Sequence, residues 1–485
     1  MNFTIKEIAE RAGIAAHVLR YYEKEGLLPA AQRAGNGFRQ YTEEDLERLT
    51  LICALRESGM SVAEIRDFAN APSRGEQCRI LRGQIARTRE AAARLQALAD
   101  SLAGRLEGLE AEERRENAAR SASALETEEI LAAQAARYPK MRPQDAVKLL
   151  YQSEFGGGHI ITSPEASLRF LQEEFAKQKP SEGGPVWEPI GGGIARLFLG
   201  GLKAEQLPTV NRLFVAGAAG QKGSMERFAD KLSLLEAAAA EGRMPFPAEE
   251  LSDFLAVYRQ NGCPMVSHSP AYREAYHPAY RILPERYLQL LGLFLEIDGR
   301  IAEQGRLVLA IDGRCGAGKS TLASLIAGVY DAAVVHMDDF FLPPAMRTEE
   351  RLAELGGNFD RERFLAEVGT GLRSGKSFSY RVFDCSKMEL GEYRAVPERE
   401  LTIVEGSYSQ HPELLDLYGL RVFATCPPEV QKRRIFERSG AALYPRFVKE
   451  WIPMEERYFE AFAVAEGCGW VLDSSIQPGC FVRKP

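Results

Sequence analysis

The side chains best placed to do chemistry lie between Gly313 and Ser320, where Gly313, Gly318, Lys319 and Ser320 stand in the spacing GxxxxGKS, with a further glycine at Gly316. Glycines at these positions let backbone N–H groups converge on phosphate oxygens without Cβ atoms intervening, and a following helix N-terminus adds a favourable dipole. The pattern implies binding of a nucleoside triphosphate, with Lys319 bridging the β- and γ-phosphates and Ser320 holding Mg²⁺ through its hydroxyl. Glu405, followed by Gly406, ends an apolar run and supplies a second hard oxygen ligand for the metal. Asp338 and Asp339 follow another such run, where a carboxylate could take the proton from an acceptor hydroxyl during phosphoryl transfer. Two adjacent carboxylates cannot both enter one small site, so Asp338 is read as the base and Asp339 as an N-cap or surface residue.

These residues need a parallel sheet to hold them. Apolar runs at 307–311, 333–336, 401–404, 421–425 and 470–472 alternate with helical stretches, the pattern of strands covered by helices on both faces. The first run leads into the glycine loop and a helix opens at its end, the context the motif requires.

Taken together, the loop, Asp338 with Phe340 and Phe341, Asn358-Phe359-Asp360 with Phe364, and Val404-Glu405-Gly406 resemble the uridine kinase and phosphoribulokinase group. The resemblance implies a nucleoside-kinase fold using ATP and Mg²⁺. Gly313, Gly316, Gly318, Lys319, Ser320 and Thr321 would bind ATP, and Ser320 and Glu405 would hold the metal. Asp338 would be the catalytic base, with Phe341, Asp360 and Tyr380 near the acceptor. A basic lid helix would carry Arg433, Arg434 and Arg438, with Lys319, Arg433 and Arg438 acting on the transferring phosphoryl group. One stretch departs from the group. Where uridine kinases present a short Tyr-Asp-Phe segment followed by a histidine, this chain has Tyr380 through Lys387 with Cys385 and Ser386 inside it. The expected acceptor is therefore a hydroxyl of a nucleoside, uridine-like, or of a related small metabolite.

The other end of the chain carries different chemistry. Thr4 suits a helix cap ahead of Ile5, Ile8 and Ala9, the turn at Gly13 precedes a second helix with Val18, Leu19 and Tyr22, and Asn36-Gly37 suits a tight hairpin. Arg33 and Arg39 have no acidic residue between them, so positive charge is local to this wing. Thr4-Ile5, Leu19 to Glu23, Gly26 to Leu28, Gly37 to Tyr41 and Asp45-Leu46 resemble the DNA-binding domain of MerR-family bacterial regulators. That resemblance implies promoter DNA as a partner, with Arg20, Tyr22, Arg33, Phe38, Arg39 and Tyr41 at or beside it and the arginines mainly on phosphates. The two tyrosines could instead be core aromatics.

From Leu81 to Leu109, apolar or small residues recur at steps of three and four (Leu81, Ile85, Thr88, Ala92, Leu95, Leu98, Leu102, Leu106, Leu109), a coiled-coil seam. MerR relatives dimerise through such a helix, so a homodimer is expected. Cys78 has no neighbouring cysteine and reads as an inert thiol. Between 126 and 300 helical runs dominate, with a short β insertion at 186–198. Glu154, His159, Glu188, Arg196, Gly191 to Gly193, His268, His277, Tyr280 and Arg281 cluster polar groups there, which could line a ligand pocket, hold a metal, or be structural.

Composition agrees with a soluble multidomain protein. The chain has 485 residues, 45% hydrophobic and 27% charged, with a formal net charge of −7, which argues against general coating of nucleic acid. No uncharged apolar run approaches the ~18 residues of a membrane span, and the eight cysteines lack CxxC spacing, so a cytoplasmic location with reduced thiols is expected. The fold class expected is multidomain: an α-helical winged helix-turn-helix at 1–75, a dimerisation coiled coil at 76–125, an α-rich domain at 126–300 and an α/β P-loop kinase domain with a parallel sheet at 301–485. The functional expectation is a DNA-binding regulator that is also a kinase. The alternative is a regulator whose kinase fold only senses nucleotide.

Overall fold

The structure is a computed structural model that describes residues 2–33, 39–158, 161–178, 186–384, 387–475 and 479–484. Asn36, Gly37, Phe38, His159, Cys385 and Ser386, singled out above, lie outside the described residues. The chain forms two compact units, Met1–Ala119 and Arg120–Pro485.

In the first unit the helices Ile5–Arg11, Glu43–Glu57 and Val62–Ala69 each begin with a capping box, Thr4 with Glu7, Thr42 with Asp45, and Ser61 with Glu64. Each box satisfies two backbone donors that a helix start would otherwise leave open. The helix Ala16–Lys24 completes the helix-turn-helix, and the strands Gln32–Arg33 and Arg39–Gln40 pair antiparallel as a short wing. Ile8, Leu19, Tyr22, Leu28, Tyr41, Leu49 and Ile65 share one core beneath them. A single helix runs Arg74–Arg137, beyond the expected coiled-coil end at 125. Ile85, Leu95, Leu98, Leu102, Leu106 and Leu109 lie exposed along it. Leu81 does not belong to that row, because it packs against the core of the first unit.

In the second unit the expected parallel sheet is present. Its strand order is Val482–Arg483, Trp470–Asp473, Leu420–Thr425, Leu307–Gly313, Leu401–Glu405 and Ala333–His336, all parallel except the antiparallel edge strand Val482–Arg483. Strands buried on both faces read as continuous apolar runs, which is why they were legible. A second, antiparallel sheet joins Trp187–Gly191, Ile194–Phe198 and Tyr280–Pro284. The sequence signal marked its first two strands, whereas the third, equally short, lies far along the chain behind the helix Pro270–Tyr276 and was not marked.

The expected boundary at 300 falls inside the helix Leu291–Gln304. One core runs from Leu171, Leu213 and Phe294 through Leu309, Ile326 and Val422 to Phe481. Polar bonds cross the same line: Trp470 Nε1 donates to Glu296 at 2.7 Å and Cys480 Sγ to Gln289 at 2.8 Å. A Cβ on Gly292 would stand 2.8 Å from the Trp470 ring, so the helix is pressed against the sheet. Residues 126–300 and 301–485 are thus one structural body rather than two.

Candidate nucleic-acid interface and phosphate-loop site

On the helix Ala16–Lys24, His17, Arg20, Tyr21 and Lys24 are exposed at steps of three and four, which places them on one face. Arg20 was anticipated there, whereas His17, Tyr21 and Lys24 were not, although the same spacing would have found them. Arg39 is exposed on the wing and its Nε lies 3.4 Å from Glu23. Two expected DNA contacts are corrected by burial. Tyr22 is 7% exposed and Tyr41 1%. Tyr41 donates its hydroxyl to Glu23 at 2.8 Å, and burial keeps the phenol protonated, so it anchors the wing to the helix from within. Arg33 lies on the wing strand.

The phosphate loop leaves the end of the strand Leu307–Gly313 and enters the helix Lys319–Tyr330. Gly313 has φ +137° and a Cβ there would stand 1.9 Å from the carbonyl oxygen of Ala424, so only glycine lets the loop leave the sheet at this point. Gly316 and Gly318 also have positive φ, while Thr321 is exposed on the first turn of the helix. Behind the loop, fully buried Asp312 accepts from Gly313 N at 2.7 Å, Gln410 N at 2.9 Å and the Tyr458 hydroxyl at 2.9 Å. Burial raises its carboxyl to about 6 against these donors and the charge of Lys319.

Lys319 Nζ folds onto the loop, 2.6 Å from Gly313 O, 3.2 Å from Arg314 O and 3.1 Å from Ser407 Oγ. Ser320 Oγ stands 3.1 Å from both carboxylate oxygens of Glu405. Glu405 also meets His336 Nδ1 at 2.6 Å, and that bond holds the imidazole above its ordinary pKa. His336 was not anticipated, but parallel pairing places it opposite Glu405 at adjacent strand ends. Glu455, on the helix Ile452–Phe462, was also missed. It accepts from Cys315 N at 3.0 Å and from Ser407 Oγ at 2.5 Å.

The two aspartates after the strand Ala333–His336 have separate fates. Asp339 is buried and accepts from Tyr380 at 2.8 Å and from Arg394, so it is neither a cap nor a surface residue. Asp338 makes no hydrogen bond or ion pair among the described residues. It is exposed to solvent, yet the protein packed around its base still desolvates the carboxyl enough to raise it; Lys319 opposes the rise and Glu405 adds to it. Tyr380 is fully buried, and Asp360 is spent capping the helix Arg361–Phe364 and pairing with Arg363 at 3.3 Å. Both are buried and already bonded within the protein. Phe341 is half-buried and bridges to Phe359.

The basic helix Pro428–Arg446 breaks at Gly440, with φ +69°. Arg434, not Arg433, grips the loop, donating to Gly316 O at 3.2 Å and to Ser474 O at 2.6 Å. Arg433 is exposed one position away, where helical geometry turns it from the loop. Arg438 is exposed over the Phe447 ring, and its charge is felt at Asp338.

Residues 3–71 match the family model described as MerR HTH family regulatory protein, and residues 46–105 match that described as MerR, DNA binding. The N-terminal segment is a MerR-family helix-turn-helix domain. A curated relative to this MerR head, an uncharacterized HTH-type transcriptional regulator of Haemophilus influenzae, is 42% identical over 76 residues, 16% of this chain and 56% of that protein. The chain therefore spans little more than half the length of that relative. The head is also similar to a solved MerR family regulator lacking the sensor domain, bound to promoter DNA, at 34% identity over 21% of this chain and 80% of that one, TM-score 0.20. Separately, the chain is similar to a possible uridine kinase from Bacillus stearothermophilus, at 22% identity over 37% of this chain and 98% of that one, TM-score 0.28. Among the described residues no helix is long and apolar enough to cross a membrane.

Proposed function

We propose that the protein is a dimeric MerR-type transcriptional regulator whose second unit is an ATP- and Mg²⁺-dependent kinase acting on a hydroxyl of a nucleoside or related small metabolite. The observation that carries the kinase reading is the division of labour between two neighbouring carboxylates. Asp339 is fully engaged in the wall, while Asp338 stands unbonded in the cleft that also holds Lys319. A fold that only sensed nucleotide would have no use for a free, desolvated base at that point.

In this reading Lys319 and Arg438 stabilise the charge on the transferring phosphoryl group, and Asp338 accepts the acceptor's proton. The Ser320 hydroxyl and the Glu405 carboxylate offer hard oxygen donors of the kind that hold Mg²⁺ together with substrate phosphates. The metal would supply charge neutralisation there. Purified protein should consume ATP in the presence of one member of a panel of nucleosides and small hydroxylated metabolites, with the product identified by mass spectrometry. Binding of ATP with no acceptor-dependent turnover across the panel would favour a nucleotide-sensing regulator.

For the MerR head, promoter DNA is the partner, and the exposed leucine row from Leu95 to Leu109 supplies the face on which two copies pair. Arg39 is read as a phosphate contact. Arg39→Ala should weaken DNA binding almost equally across sequences and lower the slope of log affinity against log salt by about one. A loss confined to one promoter sequence would instead make Arg39 a base reader.

A further inference from the structure

Away from the phosphate loop, the second unit contains a cavity of about 200 Å³ between the helix Pro143–Phe155, the helix Leu207–Gly220 and the strand Tyr280–Pro284. Its polar wall is one continuous chain of hydrogen bonds. Asp145 is saturated by donors, Ser269 N at 2.9 Å, Ser269 Oγ at 2.6 Å and Arg142 N at 3.0 Å, and it also meets His268 Nδ1 at 2.9 Å. A carboxylate so engaged is ionised and accepts a hydrogen bond from Nδ1–H, which fixes the tautomer and leaves His268 Nε2 as an acceptor. Tyr280 lies 2.7 Å from Nε2 and so donates to it. Gln152 Oε1 takes Arg196 Nη2 at 2.7 Å and Nε at 3.1 Å, so the Gln152 amide nitrogen, 3.1 Å from Tyr280, donates to that hydroxyl. Every dipole in the chain is fixed in direction, and Arg196 at its end is 1% exposed.

The cationic donors at this cavity are not satisfied from within. Lys148 points its Nζ at Val266 O, 3.0 Å away, and among the described residues it has no carboxylate partner; burial pulls its pKa down to about 8, and Arg196 and Arg273 add to the pull. Arg281 is 4% exposed and spends Nη1 on Glu174 at 2.6 Å, while its Nε and Nη2 have no hydrogen-bond partner. His268 is neutral at pH 7, its pKa lowered to about 4 chiefly by burial. Two cationic side chains therefore line this cavity with donor groups unspent, Lys148 without an ion pair and Arg281 with one edge unpaired, an arrangement that an entering anion would satisfy. Phe170 and Phe214 line the remainder as an apolar wall.

We propose that this cavity is a binding site for a small organic acid, a carboxylate or phosphate group on a body of about one ring, with the acid group drawn to Lys148 and to the unpaired, buried edge of the Arg281 guanidinium, which a small shift of that side chain would open. The volume sets the size, because a dry hollow of about 150 Å³ already accepts benzene. The guanidinium edge sets the chemistry, because two parallel N–H groups match the two oxygens of a carboxylate or phosphate. The site is independent of the kinase reading, since every lining residue precedes the phosphate loop in sequence.

The test is calorimetric titration of the full-length protein with benzoate, phenyl phosphate and the neutral benzamide. Saturable binding of one or both acids with none of the amide is expected. Preference for phenyl phosphate would mark a phosphorylated metabolite and preference for benzoate a carboxylic acid. Lys148→Gln should weaken the acid by ten- to a hundredfold, the worth of a hydrogen bond to a charged group. Its unliganded melting temperature should not fall, because the substitution removes a desolvated charge. Phe170→Ala, at an exposed position that folding does not need, should weaken the same acids by removing one wall. Equal binding of benzamide, or no saturable binding of either acid, would overturn the proposal and leave the network a structural element.

Discussion

Asp338→Asn is expected to lower acceptor-dependent ATP turnover by about 10²- to 10⁴-fold, the usual worth of a general base, while nucleotide affinity stays at the wild-type level. The side chain keeps its size, and no hydrogen bond or ion pair in the described structure is lost with it, so a fall in rate cannot be laid to misfolding. The pH profile separates a base from a bystander. Desolvation raises the Asp338 carboxyl above its ordinary value, with Lys319 opposing and Glu405 assisting. Only the deprotonated form accepts a proton, so wild-type kcat/KM should fall as the pH drops through that raised value, and the limb should vanish in the variant. Turnover that survives the substitution with its acid limb intact would remove Asp338 from the role.

The second large effect is expected at Gly313→Ala. A Cβ at this residue would stand 1.9 Å from the carbonyl oxygen of Ala424, on the neighbouring strand Leu420–Thr425, and φ +137° is a conformation that side-chain-bearing residues rarely adopt. Strain and overpacking each cost about 1–3 kcal/mol, and here they act together, so a stability loss on the order of 3 kcal/mol or more should appear in denaturant unfolding. The damage should also reach the loop, because Gly313 donates its N–H to Asp312 and lends its carbonyl to Lys319. Nucleotide binding lost together with stability is the expected pair of results. A stable Gly313→Ala protein that bound ATP normally would show that the strand ends separate more easily than this contact implies.

The residues that could be read from the sequence are those whose role is local. A glycine loop with lysine and serine announces itself within eight positions, apolar runs mark strands buried on both faces, and Thr4 with Glu7 marks a helix start. What escaped depends on partners distant in sequence. His336 acquires its meaning only from lying beside Glu405, and Glu455 only from a late helix that returns to the loop. Tyr22 and Tyr41 show the converse. Their types suited a DNA surface, but a domain this small needs its aromatics to fill the core, and the structure uses them there. Arg433 and Arg434 differ by one helical step, a distinction that only the orientation of the helix against the loop can settle.

The unbroken core from Leu171 to Phe481 also limits how this chain can be taken apart by recombination. A gene fragment beginning at 301 would lose Phe294 and Ile297 from under the sheet and leave Trp470 without Glu296. The MerR head, with its own core, is separable cargo in a way the phosphate-loop fold is not. A fragment meant to keep the phosphate-loop fold would have to carry the helices and strands before residue 301 with it.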